Sequence, residues 1–207
     1  MVGVRVDYRT QSSGDSYPAN YSDAARAVRL VRHRAAEWGI DSNRVGIMGF
    51  SAGGHLASLL STQPALYVNP EDDLAKEVSD RPSLVVLSYP VVSFVEQYYP
   101  GAYLSTAENF FGHGDLSESL RRQFSNELHV RAGHPPVFIW TTQDDDIVPF
   151  THSKLFAEAC QRVNVPVVFT LYPHGPHGLG LDLGDTGEIG TWTTNLLAWL
   201  GEQWGQP

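Results

Sequence analysis

Apolar residues gather in short runs near residues 2–8, 44–50, 83–89, 136–142 and 166–172, with longer amphipathic stretches between most of them. Ser83-Leu84-Val85-Val86-Leu87-Ser88-Tyr89 is almost continuously apolar and ends at Pro90, the pattern of a strand covered on both faces. Pro136–Thr142 and Val167–Tyr172 are rich in β-branched and aromatic residues and read as strands as well. From Asp23 to Trp38 the spacing changes to three and four, placing Ala24, Ala27, Val28, Val31, Ala35 and Trp38 on one helical face. Ser22 or Asp23 can cap that helix and Gly39 can end it. Arg26, Arg29, Arg32, His33 and Arg34 fill the opposite face, which is expected to be solvated. Ser153–Cys160 repeats the helical spacing, with Leu155, Phe156 and Ala159 on its apolar side. Thr191–Trp204 predicts a final helix burying Leu196, Leu197, Trp199 and Leu200. Strands alternating with helices predict an α/β fold, a mainly parallel sheet of about five strands with helices on both faces.

Residues 62–82 are polar and contain Pro, and read as loop. Residues 91–134 are less regular, with an aromatic turn at Tyr98–Tyr103, the pair Phe110-Phe111 and a short helix near Leu116–Phe124. No repeat or linker divides the chain, so one domain over 1–207 is expected.

The sharpest chemical signal is Gly49-Phe50-Ser51-Ala52-Gly53, between the apolar run Val45–Met48 and the helical segment His55–Leu60. A serine between two glycines at a strand-to-helix turn is held in a strained conformation with its hydroxyl exposed at the carboxyl edge of the sheet. Gly49 and Gly53 are expected to let strand and helix approach, and the N–H of Ala52 then points at an oxyanion formed on a group attacked by Ser51. Such a serine needs an acid and then a histidine downstream. Asp144-Asp145-Asp146 follows the strand at 136–142, where a parallel sheet collects functional groups. The D-x-x-V-P spacing to Val148-Pro149 selects Asp145, leaving Asp144 and Asp146 as loop or capping acids. Beyond the last strand lies Pro173-His174-Gly175-Pro176-His177-Gly178. His177 is the expected general base and His174 a rim or surface residue. The other histidines (His33, His55, His113, His129, His134, His152) have no metal-ligand spacing, and neither metal nor cofactor is expected.

Ile47–Ala57, the acid loop Thr142–Pro149, the histidine loop Gly175–Leu181 and the helix opening Asp23–Arg29 together resemble a bacterial branch of the α/β-hydrolase superfamily, the acetyl esterases and acetyl xylan esterases. The resemblance spans about residue 4 to the C-terminus. It implies ester hydrolysis through Ser51, Asp145 and His177, with short acyl esters, including those on carbohydrate, as substrates. It also implies that residues 91–134 form a cap insertion over the site, with aromatics that line a pocket or pack on the domain. Members of this branch carry a further strand ending in a His-Gly-Gly-Gly or Pro-Gly-Gly-Gly loop, the second oxyanion donor, before the strand matched by Val2–Tyr8. Because the chain opens at Val2–Tyr8, the sheet is expected to be shortened there, by truncation or by rebuilding. In the rebuilt form Val2–Tyr8 pairs directly with the strand before Ser51 by a right-handed crossover. The loop Arg9–Gly14, with Gln11 in it, would then offer the second donor. A serine peptidase of the same superfamily, or a degenerate hydrolase-like domain that binds without turnover, are the competing readings.

Composition narrows partners further. With 14 basic and 23 acidic residues the net charge is −9, which disfavours nucleic acid and anionic membrane surfaces. Cys160, the single cysteine, sits in a helical pattern as a small core residue. No run approaches the ~20 apolar residues of a membrane span. Arg5, Asp7 and Arg9 interrupt any signal peptide, so the cytoplasm is expected, or export if the natural chain is longer. An open first strand at the sheet edge would favour a homodimer.

Overall fold

The computed structural model describes residues 1–95, 102–112, 117–181 and 187–205. The aromatic turn at Tyr98–Gly101 and His113 lie outside the described residues. Four strands, β1 (Ile47–Phe50), β2 (Val85–Ser88), β3 (Val137–Thr142) and β4 (Val167–Tyr172), form a parallel sheet in the order β1-β2-β3-β4. Val85 pairs with Val137 and Val137 with Val167, so the strands run in register and end together at one rim. The chain returns between them through α2 (Ser51–Thr62), α3 (Ala102–Phe111), α4 (Glu118–Gln123) and α5 (Thr151–Arg162). α1 (Ala19–His33) precedes the sheet and α6 (Trp192–Trp204) follows it. The turn Asp41–Arg44, exposed throughout, leads into the opposite rim at the amino end of β1.

The two central strands are buried at every position, which is why they read as unbroken apolar runs. Val85, Leu87, Val137 and Ile139 face one layer, built with Ala57 of α2 and Phe156, Ala159 and Cys160 of α5. Val86, Phe138 and Trp140 face the other, against Trp192, Leu196 and Trp199 of α6. α1 packs on α2 through Tyr21, Ala24, Ala25 and Val28, joined by Phe94, Phe110 and Phe124. The aromatics Phe110 and Phe124 from the 91–134 segment are thus core residues.

Four expectations are corrected. Residues 2–8 form no strand: Met1–Asp7 are exposed and make no backbone ladder, so the described sheet has four strands, with β1 and β4 at its edges. An alternating Val2-x-Val4-x-Val6 pattern supplies strand propensity, but a strand also needs a neighbour to receive its N–H and C=O groups. The first helix begins at Ala19, a turn early, and ends at His33. Its basic face is only partly solvated. Arg29 is 3% exposed and reaches Asp72 and Asp80 at 2.8 Å each, while Arg26 also reaches Asp72. The loop at 62–82 returns over α1 to supply these acids, and a buried guanidinium needs such partners. In α6, Leu197 is 57% exposed and Trp192 takes the core position instead.

Candidate active site

Every strand delivers a residue to the same rim. β1 ends at Phe50, and Ser51 follows with φ +51° as the first residue of α2. That left-handed conformation is costly for a residue with a Cβ, and the turn holds it only because the chain comes very close to itself. A Cβ on Gly49 would lie 2.1 Å from the Gly53 carbonyl oxygen, and one on Gly54 would lie 2.5 Å from the Pro90 Cβ. Close approach therefore requires Gly49 and Gly54. Gly53, the other glycine singled out from sequence, would place a Cβ at an ordinary 3.7 Å from the Tyr8 hydroxyl.

β4 leads into the histidine loop and β3 into the acid loop. His177 Nε2 lies 2.8 Å from Ser51 Oγ, and His177 Nδ1 lies 2.7 Å from Asp145 Oδ2. These side chains come from positions 51, 145 and 177 and form one continuous hydrogen-bonded line. The other Asp145 oxygen, Oδ1, accepts the N–H groups of Ile147 (2.9 Å) and Val148 (2.8 Å). Its own loop thus fixes the carboxylate, and the Asp-x-x-Val spacing is the sequence trace of that turn. The Asp145 carboxylate is almost fully buried and the His177 ring nearly so. This strengthens the charge-assisted contact between them.

Asp144, expected to be a loop acid, grips the histidine loop from the side. Its Oδ1 accepts the Gly175 N–H at 2.8 Å and its Oδ2 lies 3.0 Å from His174 Nδ1. These hydrogen bonds, that to His174 first, hold its carboxyl below the usual carboxylate range. Thr142 Oγ1 donates to the Gly175 carbonyl at 2.8 Å, so Gly175 is held at both ends of its backbone. His174 itself is exposed, at the rim.

Of the remaining described histidines, three are buried in the interior. His55 stacks on Phe94 with centroids 4.3 Å apart and Nε2 3.0 Å from the Phe124 carbonyl. His152 Nδ1 accepts the Val92 N–H at 3.1 Å, and His134 Nε2 lies 3.0 Å from Ser61 Oγ. Burial pushes His55 and His134 down to about 4 and His152 to about 3, so all three are neutral imidazoles. Burial likewise pushes the Cys160 thiol up to about 12. Among the described residues no group of three or more His, Cys, Asp or Glu gathers in a metal-binding arrangement. No helix among them is long and apolar enough to cross a membrane.

Residues 11–13 form a short 3-10 turn. Its Ser13 and Gly14 N–H groups are used internally, by the Thr10 and Gln11 carbonyls, whereas among the described residues those of Gln11 and Ser12 have no acceptor.

The BD-FAE family model matches residues 1–160. Among curated relatives, the endo-1,4-beta-xylanase B of Butyrivibrio fibrisolvens is 36% identical over 159 residues, 76% of this chain and 24% of its own length. The acetylxylan esterase of Xylanibacter ruminicola is 33% identical over 190 residues, 90% of this chain and 34% of its own. The chain thus spans roughly a quarter to a third of these relatives. Among solved structures, an acetyl ester-xyloside bifunctional hydrolase from Caldicellulosiruptor lactoaceticus superposes with TM-score 0.86 at 38% identity, over 97% of this chain and 71% of that one. A thermophilic esterase of Thermogutta terrifontis gives 0.79 at 28%, over 96% and 69%.

Proposed function

This chain belongs to the BD-FAE family of α/β hydrolases, and on that premise we propose that it is a serine carboxylesterase cleaving short acyl esters, acetyl esters of carbohydrate foremost. The observation that carries this reading is the line from Ser51 Oγ through His177 to the buried Asp145 carboxylate, with contacts of 2.8 and 2.7 Å. The acetylxylan esterase among its relatives and the acetyl ester-xyloside hydrolase among similar structures support the substrate class.

The chemistry follows from the geometry. His177 Nε2 takes the Ser51 proton as Oγ attacks the ester carbonyl carbon, and Asp145 holds the Nδ1–H that keeps Nε2 free to accept. Negative charge collects on the former carbonyl oxygen, facing the Ala52 N–H at the start of α2, where the helix N-terminus favours it. We assign the second donor to the N–H of Gln11, which has no acceptor among the described residues. Collapse of the tetrahedral species expels the alcohol, protonated by His177, and leaves the acyl group on Ser51. Water then repeats the attack with His177 as base, releasing the acid and restoring the Ser51 hydroxyl. Residues 91–134 serve, in this reading, as the cap insertion of the single domain, anchored to the core through Phe110 and Phe124.

The test is hydrolysis of p-nitrophenyl acetate and of acetylated xylo-oligosaccharides. Wild type is expected to turn over both, and Ser51→Ala to lose at least about 10³-fold in kcat. Equal rates in the two proteins would refute the assignment of Ser51.

A further inference from the structure

β2 is the strand whose contribution to the rim has no role in the reading above. Its last residue, Ser88, is followed by Tyr89-Pro90-Val91, and these three residues touch both halves of the hydrogen-bonded line. The Val91 N–H donates to the carbonyl of Ser51 at 3.1 Å. Pro90 packs into the space that a side chain on Gly54 would fill. Tyr89 turns the other way. Its ring meets the His177 imidazole with centroids 4.8 Å apart at 67°, and its hydroxyl accepts the Gly180 N–H at 2.8 Å, three residues beyond His177.

Tyr89 holds φ +38°, a region that bulky aromatic residues rarely enter. A following proline favours extended backbone with negative φ, so Pro90 adds to the cost of this conformation, which the bond from the Tyr89 N–H to the Trp140 carbonyl at 2.7 Å helps to hold. The strain aims the ring across the sheet edge at the histidine loop. Trp140 and Phe50 hold the ring from other sides, with centroids at 5.2 and 5.9 Å.

We propose that Tyr89 is a positioning residue for His177, its ring fixing the tilt of the imidazole and its hydroxyl anchoring the far end of the histidine loop in register with Ser51. The proposal rests on the esterase reading given above. With Asp144 and Thr142 holding the near end of the loop at Gly175, Tyr89 supplies the opposite anchor, and His177 lies between the two. The alternative is that Tyr89 only fills the core, since it is 4% exposed within the cluster around Trp140 and Trp192.

Tyr89→Phe separates these, because it keeps the ring and removes only the Gly180 anchor. Positioning predicts a fall in kcat of about three- to tenfold, with KM within about twofold and the thermal midpoint nearly unchanged. Tyr89→Leu, which removes the ring contact too, is expected to lose about 30- to 100-fold in kcat measured on the folded fraction. Core filling predicts the reverse: lowered midpoints with wild-type kcat per folded molecule. A second measurement needs no turnover. The imidazole N–H signal of His177 in the NMR spectrum, assigned by its loss in His177→Gln, is expected to be sharp in wild type and broadened in Tyr89→Phe. An equally sharp signal in Tyr89→Phe, or wild-type kcat in that variant, would overturn the proposal. Absence of ester turnover in wild type would instead overturn the esterase reading, and the NMR comparison would still decide whether Tyr89 orders the ring.

Discussion

Two neighbouring carboxylates, Asp144 and Asp145, hold the same loop and do different work. Asp145 contacts the imidazole that becomes positively charged in the proposed mechanism, while Asp144 bonds, among the described residues, to the Gly175 N–H and the exposed His174. Steady-state hydrolysis of p-nitrophenyl acetate should therefore rank them. Asp145→Asn is expected to lose about 10³–10⁴ in kcat, through loss of charge and of the correct tautomer. Asp144→Asn is expected to lose no more than about tenfold, the scale of one surface-side hydrogen bond. Equal losses would mean that the roles are shared or misassigned. That Asp145 is the acid facing His177 was legible because its distance to Val148 is the spacing of the turn that its own Oδ1 closes. The grip of Asp144 was not legible, since its partner arrives from 31 positions away in a loop without regular structure. Arg29 was misread for the same reason: its acids lie 43 and 51 positions onward, in a segment whose polarity alone announces a loop.

At the level of elements, the turn that carries Ser51 depends on where backbone meets backbone. Gly49→Ala and Gly54→Ala drive a methyl into the Gly53 carbonyl and into Pro90, contacts that side-chain motion cannot relieve. Each is expected to cost stability at or above the upper end of ~1–3 kcal/mol for overpacking, and to displace Ser51. Gly53→Ala has room and lies within a helix, where alanine is favoured by up to about 1 kcal/mol. It should be neutral or mildly stabilising, and urea unfolding of the three variants tests the order. A Gly53→Ala as damaging as Gly49→Ala would contradict the packing described. The four observed strands were legible because buried strands carry their own apolar signature. Residues 2–8 carry a strand's alternation too, but pairing is a property of two segments, and composition reports only one. Leu197 shows the same limit in a helix: the spacing of α6 admits it to the apolar face, yet the sheet beneath receives Trp192, Leu196 and Trp199.

For the molecule as a whole, the interior sets how stability responds to acid. His55 and His134, lowered by burial to about 4, and His152, lowered to about 3, stay neutral in the fold while an unfolded chain protonates them near 6.5. Their contribution is present above pH 6.5 and is lost as pH falls toward 4. Glu127, raised by burial to about 7 from 4.5, acts in the opposite sense, its contribution being full below pH 4.5 and lost as pH rises through 7. Three groups against one give a net loss in acid. The thermal midpoint by calorimetry is expected to fall steadily from pH 6.5 to 4, and Glu127→Gln to gain on wild type as pH rises from 4.5 to 7. A midpoint flat between pH 6.5 and 4 would contradict this. The parallel sheet has one more consequence. The groups proposed to react stand at one pole, the exposed turn Asp41–Arg44 stands at the other, and Cys160, the one cysteine of this sequence, is sealed inside. Asn43→Cys would add one exposed reactive handle, by which a film of molecules could be grafted to a solid support with the Ser51 rim of each turned toward the liquid.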